Sequence, residues 1–363
     1  MSQSSDHHIT LPSGTLHLTL DHEQRPLSDL VAYAVRENPK RGFLFVSKVL
    51  GKHIPVSPEV AAWSHQALAA ALPSLRRPHF IGLAETATGL AEGVYAAWQA
   101  AHPDQPGTYQ HTTRYLTGEP VLLRFDEPHS HAPAHILHQP EGEPGAARDL
   151  VLVDDEITTG TTLTNLAQAW CARFPQTERV ILVCLTSWAD PQALQARLTP
   201  QLQLVSLTQG QYQFTPNPAW QPPVTPPVQV TSSQVRPHLG QSRRTASRPL
   251  TLPRLEALGL TPQARLLVLG TGEHQYPAFA LAQHLSPQVA SVVFSATTRS
   301  PVLPGLAMRH KLTFTDNYGD GMPNYLYNVD PAEYSDILVV HEPGCEVPEV
   351  LGLLGPHARS VVL

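Results

Sequence analysis

Leu150-Val151-Leu152-Val153-Asp154-Asp155-Glu156-Ile157-Thr158-Thr159-Gly160-Thr161-Thr162 is the stretch on which the fold turns. Four apolar residues bounded by acids read as a strand. Beyond the loop, Leu163, Leu166, Trp170 and Phe174 recur at helical spacing and define one apolar face. A strand, a short Thr/Gly loop and a helix start make a seat for an anion. The first N–H groups of a helix have no partner within it, and the helix dipole is positive there. Gly160 lets the backbone approach closely. The hydroxyls of Thr158, Thr159, Thr161 and Thr162 add donors. Asp154 and Asp155, at the carboxyl end of the strand, can accept from two neighbouring sugar hydroxyls. They can also assist a hydrated magnesium ion held by the ligand. The combination suits a 5′-phosphorylated ribose. A capped helix behind two solvated aspartates accounts for the loop alone, but less well for all its parts together.

Upstream, residues 9–20 alternate as a hairpin or edge strand, and Leu27 to Arg36 reads as a short helix with Ser28 as its cap. Gly42 to Val46 is a strand and Pro58 to Leu72 a helix, with Pro in its first turn. Phe80 to Leu83 is a strand, Leu90 to Ala101 a helix, and His111 to Leu123 one or two strands. Residues 126–148 read as loop, and Val180 to Leu185 as the next strand. Strands alternating with helices predict a mostly parallel, wound sheet. Paired prolines and Arg243-Arg244 then mark residues 214–250 as an extended, solvated connection. A second α/β pattern follows, with strands at Leu266 to Leu269, Ser291 to Ser295, Ile337 to Val340 and Ser360 to Leu363, and a helix at Ala278 to Leu285. The expected organisation is one unit over 1–213, a Pro-rich linker over 214–250, and a smaller Rossmann-like α/β unit over 251–363.

The 363 residues carry a net charge of −6 and no Lys/Arg-rich run. A general nucleic-acid or membrane-surface binder is therefore not expected. Cys171, Cys184 and Cys345 match no zinc spacing, which suits a reduced, cytoplasmic protein. The polar start reads as no secretory signal, and no apolar run is long enough to span a bilayer.

Residues 150–162 resemble the phosphoribosyl-pyrophosphate (PRPP) loop of type I phosphoribosyltransferases. The first half is similar to the orotate-phosphoribosyltransferase-like family found in bacterial tellurium-resistance and stress gene clusters. That resemblance rests on residues 41–53 (Arg-Gly-Phe-Leu-Phe-Val-Ser-Lys-Val-Leu-Gly-Lys-His), 84–89 (Ala-Glu-Thr-Ala-Thr-Gly) and 127–132 (Glu-Pro-His-Ser-His-Ala). The second half resembles the TRSP domain that accompanies this family, through Thr298-Arg299-Ser300-Pro301. The resemblance implies that Asp154 and Asp155 contact the ribose hydroxyls, with any metal held indirectly, and that Thr158, Thr159, Gly160, Thr161 and Thr162 hold the 5′-phosphate. It implies a pyrophosphate cradle at Thr86, Ala87, Thr88 and Gly89. Lys48 and Lys52 would line the acceptor or phosphate side, where a solvated charge cluster competes; Arg114, flanking the segment that follows, could reach phosphate oxygens, and surface charge explains it equally well. Residues 126–135 stand where such enzymes carry a Lys-rich catalytic lid. Lys is absent here, and His129, His131 and His135 stand in its place; a metal site and an ordinary His-rich loop compete with the lid reading.

In the second half, Gly270-Thr271-Gly272-Glu273 and Thr298-Arg299-Ser300 follow strands and suggest a second ligand surface. Asp316-Asn317-Tyr318-Gly319 and Tyr325-Leu326-Tyr327-Asn328 add aromatics that could stack on a base. Capping and packing explain each of these alone. The implied activity is magnesium-dependent transfer of phosphoribose to an unidentified nucleobase-like acceptor, or its reverse, in a stress or tellurium-resistance pathway. A non-catalytic PRPP- or nucleotide-binding regulator or scaffold is the alternative. The implied partners are PRPP, a nucleobase or nucleotide, a second copy of the chain, and other enzymes of the same pathway.

Overall fold

The structure, a computed structural model, describes residues 5–36, 41–125, 135–142, 144–221, 235–239 and 243–363. The first half opens with β1 (Ser5–Leu11), β2 (Gly14–Glu23), α1 (Leu27–Leu30), β3 (Val31–Ala34), β4 (Leu44–Ser47) and α2 (Pro58–Ala71). It continues through β5 (Pro78–Gly82), α3 (Thr88–Ala101), β6 (Thr108–His111), β7 (Val121–Phe125), β8 (His135–His138) and β9 (Asp149–Val153). It ends with β10 (Glu156–Ile157), α4 (Thr161–Arg173), β11 (Arg179–Ser187), α5 (Pro191–Gln195) and β12 (Gln201–Pro216).

The main sheet has the order β1-β2-β12-β11-β9-β5-β6. From β12 to β6 the strands are parallel, while the β1–β2 hairpin joins β12 antiparallel. Alternation along β9 sends its side chains to two cores. Val151 and Val153 pack with Leu68, Leu90 and Trp98 on the α2–α3 face. Leu150 and Leu152 pack with Leu163, Leu166 and Trp170 of α4 on the other. Both faces are covered, which is why this strand reads as continuously apolar.

Three sequence expectations change here. Only Leu27–Leu30 of the expected 27–36 helix is helical, and Pro26, not Ser28, stands at its N-cap. Val31–Ala34 instead pairs with β4, and Tyr33 packs edge-on to Phe45. The first unit also runs past its expected end at 213, because β12 is sixteen residues long and reaches Pro216. Phe214, Thr215 and Pro216 pair with β2, so the start of the expected linker is part of the first sheet.

The second half comprises β13 (Arg265–Gly270), α6 (Tyr276–Leu285), β14 (Ser291–Ala296), β15 (Lys311–Thr315), β16 (Pro323–Tyr327), β17 (Asp336–His341), α7 (Pro348–Leu354) and β18 (Ala358–Val362). Its parallel sheet has the order β14-β13-β17-β18, and β15 and β16 form a separate hairpin. No described helix is long and apolar enough to cross a membrane.

The two halves meet through backbone bonds. Val56 pairs with Phe294 of β14 through N–H···O bonds of 2.9 and 2.7 Å. The Leu303 N–H donates to Val35 O at 2.9 Å. In an open α/β sheet, ligands bind at the carboxyl ends where the strand order reverses. The first sheet reverses between β5 and β9, and the second between β13 and β17.

Candidate functional site

At the first reversal, β9 delivers Asp154 and Asp155. The Asp154 N–H donates to Val183 O at 3.0 Å, and the Asp155 N–H to Asp154 Oδ1 at 3.0 Å. β10 pairs with β11, and Arg41 holds Glu156 at 2.7 Å, so the loop leaves the sheet in a fixed direction. Gly160 caps α4 in the left-handed region, at φ 66°, which favours glycine. Thr164 Oγ1 donates back to Gly160 O at 2.9 Å and closes the first turn. Thr158, Thr161 and Thr162 are half-buried and Thr159 is exposed. Thr159 and Thr161 hydroxyls lie 3.0 Å apart, and Arg197 Nη1 donates to Thr161 Oγ1 at 3.3 Å. The first N–H groups of α4 and these hydroxyls stand together at the helix start, with Arg197 beside Thr161.

β5 delivers the neighbouring loop. The Leu83 N–H donates to Val153 O at 3.0 Å, tying the two loops together. The residues expected to cradle pyrophosphate divide here. Thr86 is half-buried, while Ala87, Thr88 and Gly89 are buried beneath the second half. Thr88 Oγ1 donates to Glu273 O at 2.9 Å, and a Cβ on Gly89 would come within 2.9 Å of Gln275 Cβ. Those three side-chain positions are occupied by packing, so Glu85 and Thr86 form the accessible part of the loop.

Of the basic residues, Lys52 reaches the site and Lys48 does not. Lys52 is buried and its Nζ donates to Glu85 Oε1 at 2.7 Å. Lys48 is exposed and donates to Ser28 O at 2.7 Å. The Arg114 N–H donates to Glu273 Oε1 at 3.0 Å, placing this residue at the contact between the halves. His129 and His131 lie outside the described residues. His135 is buried in β8, stacked on Phe125 and 3.1 Å from Thr112 Oγ1, so it is a core residue of a hairpin.

The second reversal is filled. Arg244, from the expected linker, lies between the ends of β13 and β17 with almost no exposure. Its Nη2 contacts Glu273 Oε2 at 2.8 Å, and it holds Glu342 through both terminal nitrogens, the longer bond at 3.1 Å. Thr113 Oγ1 donates to Glu273 Oε2 at 2.7 Å. Arg243, beside it, is buried against Glu92, with Nε donating to Oε1 at 2.6 Å. Residues 243 and 244 are therefore no part of a solvated spacer. Gly270, Thr271, Gly272 and Glu273, read as a ligand turn, form the wall of this contact. Gly272 sits at φ 51°, with the Tyr318 ring where a Cβ would go.

The remaining polar motifs of the second half are also drawn inward. Tyr318 stacks on Tyr115 with ring centroids 4.6 Å apart, and Tyr325 and Tyr327 are buried. Thr298 pairs by backbone with Tyr325, and the Ser300 N–H donates to Thr298 Oγ1 at 3.2 Å. Arg299 alone of this motif reaches the first crevice. Its Nε lies 3.7 Å from Glu85 Oε2, and its Nη2 donates to Tyr115 Oη.

The charges sort by environment. Burial raises the Asp155 carboxyl, opposed by a hydrogen bond from Asp154 and by the charges of Lys52 and Arg36. Burial also raises Glu156, against the pull of Arg41. Burial pushes the Cys171 thiol up to about 11 and Cys345 to about 12, which suits packing rather than nucleophilic roles. Among the described residues no three His, Cys, Asp or Glu side chains are placed to hold a metal together. Magnesium keeps several waters and takes few protein carboxylates. Two adjacent, half-exposed aspartates therefore fit an ion held mainly by ligand and water.

Residues 30–211 match the family model described as phosphoribosyl transferase, and residues 241–355 match one described as the TRSP domain C-terminal to it. No curated protein matches. Among solved structures, the chain is similar to adenine phosphoribosyltransferase from Trypanosoma brucei, in complex with AMP, pyrophosphate and ribose-5-phosphate. That likeness has 13% identity, covers 55% of this chain and 87% of that one, and has a TM-score of 0.38. It is also similar to adenine phosphoribosyltransferase from Thermoanaerobacter pseudethanolicus, at 17% identity, 48% and 94% coverage, and TM-score 0.33. Orotate phosphoribosyltransferase from Aeropyrum pernix is similar at 17% identity, 49% and 88% coverage, and TM-score 0.30.

Proposed function

The chain belongs to the phosphoribosyl transferase family and carries the family's TRSP domain behind it, and on that premise we propose that the β5–β9 crevice binds PRPP and transfers its phosphoribosyl group to a nucleobase-like nitrogen. One observation carries this reading: the half-buried Asp154 and Asp155 and the left-handed Gly160 start of α4 follow β9 at the reversal of the sheet. The 5′-phosphate takes the amides and hydroxyls of 158–162, and the ribose 2′- and 3′-hydroxyls donate to the aspartates. The acceptor nitrogen forms a bond to C1 as the C1–O bond breaks. The electron pair leaves with pyrophosphate, and the nitrogen's proton goes to solvent. Magnesium, held by ligand oxygens and water beside Asp154 and Asp155, would neutralise the departing pyrophosphate. The protein's part is to position the sugar and stabilise charge.

The division into a transferase unit, a connection and a TRSP unit is part of this proposal, with 214–216 paired into the first sheet and 243–245 buried. The acceptor, dimerisation, partner enzymes and any link to tellurium resistance rest on the family resemblance alone.

The test is pyrophosphate release from PRPP with magnesium and a panel of nucleobases. Release with at least one base is expected. Asp154→Asn should lower it about a hundredfold, the scale of misplacing a reacting group. Tight PRPP binding without turnover on any base would instead establish a regulator, and no binding of PRPP or ribose 5-phosphate would end the proposal.

A further inference from the structure

Glu85 is out of place in a loop that cradles a polyanion. A carboxylate there repels pyrophosphate, and solvent exposure would be its cheapest state. It is instead held between two cations. Its Oε1 accepts from Lys52 Nζ at 2.7 Å, and Lys52 is itself only 1% exposed. Its Oε2 faces Arg299 Nε at 3.7 Å. Burial would raise the carboxyl, but Lys52 and Arg299 overcome it and hold Glu85 below the usual carboxylate range.

Arg299 is fixed in this pose from the other side. Its guanidinium lies over the Tyr115 ring, 5.2 Å from the centroid, and its Nη2 is 3.4 Å from Asp320 Oδ2. Lys52 comes from the transferase unit and Arg299 from the TRSP unit. Two cations from the two units thus share the Glu85 carboxylate, with Asp320 on the far side of Arg299, and the Lys52 charge also acts on Asp155.

We propose that Lys52 and Arg299 form a composite diphosphate site spanning both units, and that Glu85 is its resident anion, displaced when the ligand binds. The inference rests on the PRPP reading above and adds that the TRSP unit completes the transferase site. A diphosphate offers more charge and more acceptor oxygens than one carboxylate, so it is the stronger partner for an ammonium and a guanidinium fork together. While the site is empty, Glu85 neutralises two cations that would otherwise repel across the contact. PRPP and free pyrophosphate share the group that does the displacing.

Calorimetry on the full chain with magnesium separates the two ends of the ligand, using inorganic pyrophosphate and ribose 5-phosphate as probes. Glu85→Gln is nearly isosteric, removes the competing charge, and should bind pyrophosphate about tenfold more tightly. Arg299→Gln should bind pyrophosphate about tenfold more weakly, with Arg299→Lys between it and the parent. Ribose 5-phosphate affinity should stay within about twofold throughout, since its phosphate sits at α4. Unchanged pyrophosphate binding in Arg299→Gln, or weaker binding in Glu85→Gln, overturns the composite site. If Arg299→Gln does not fold, Glu85→Gln carries the test. A parent protein that binds ribose 5-phosphate but not pyrophosphate defeats this inference and leaves the 5′-phosphate loop standing. One that binds neither defeats both.

Discussion

Two crevices of the same topological kind lie a short distance apart in this chain, one open and one closed. Between β5 and β9, Asp154, Asp155, Thr158, Thr161 and Thr162 keep part of their surface in solvent. Between β13 and β17, the corresponding place holds the Arg244 guanidinium, with Glu273 and Glu342 on either side. Both halves offer a strand, a Gly/Thr turn and a helix. Topology thus nominates a site in each half, and burial decides which can take a ligand. The open crevice leaves its polar groups part-solvated. The closed one spends the same kinds of groups on holding the halves together.

Removing the plug should have the largest effect. Arg244→Met leaves Glu273 and Glu342 buried without their cation. Breaking a buried ion pair from one side costs about 3–5 kcal/mol. Denaturant unfolding should show that loss, and adding Glu273→Gln and Glu342→Gln to the variant should recover much of it. A loss under about 1 kcal/mol would mean that Arg244 is not structural, and the contrast between the crevices would collapse.

Acid should weaken the closed crevice next. Burial holds His111 to about 3 and His274 to about 4, both below 6.5. Glu342 lies at about 2; burial raises it, and the charge and hydrogen bonds of Arg244 lead the contributions that together outweigh burial. In each case the folded value is below the unfolded one, so the unfolded chain binds more protons in between. The stability these groups contribute is complete above the unfolded value and lost as pH falls toward the folded one. The histidine losses begin below 6.5, and the Glu342 loss begins near 4.5. Each histidine should contribute a slope of up to about 1.4 kcal/mol per pH unit. Unfolding measured between pH 7 and 5 should show the decline, to which the buried His53, His65 and His79 also contribute, and His274→Gln should lessen it by one histidine's share. A flat profile in the parent protein would remove acid sensitivity from the account of the interface.

What could be read in the sequence follows the same division. The open crevice is local: Leu150–Val153, the aspartates, Gly160 and α4 are consecutive, and their pattern of apolar, acidic and hydroxyl residues is visible without any fold. The closed crevice is assembled from distant parts. Arg244 meets Thr113 and Glu342, which are 131 and 98 positions away, so its pairing leaves no local trace. Two adjacent arginines in a Pro-rich stretch were the only signal, and they read as solvated. Gly270-Thr271-Gly272-Glu273 was legible as a turn but not as a wall, because the Tyr318 ring that covers it arrives from another loop. Local preference also lost to pairing at Val31–Ala34, where β4 draws out what would otherwise extend α1. His135 shows the same limit: its neighbours in sequence suggest a loop, while its stacking on Phe125 makes it core.

The smallest expected effect on stability is the one that sharpens the contrast most. Asp155 carries a carboxyl whose ionisation is opposed first by burial, with Lys52 and Arg36 only partly compensating. Its folded value is raised above 3.8, so the charged form is less favoured in the folded chain than in the unfolded one. The sign is opposite to that of Glu342: here stability declines as pH rises past the unfolded value, and the residual cost persists at neutral pH. Asp155→Asn removes that charge while keeping the shape. It should leave stability unchanged or raise it by less than about 1 kcal/mol, because sites kept for ligands are held away from the stability optimum. The same variant should lose ribose 5-phosphate binding in calorimetry, since an amide cannot replace a carboxylate that accepts from two hydroxyls. Arg244→Met should do the reverse in both measurements, provided binding is compared under conditions where it remains folded. A marked loss of stability in Asp155→Asn with ribose 5-phosphate binding intact would make the first crevice a structural contact like the second.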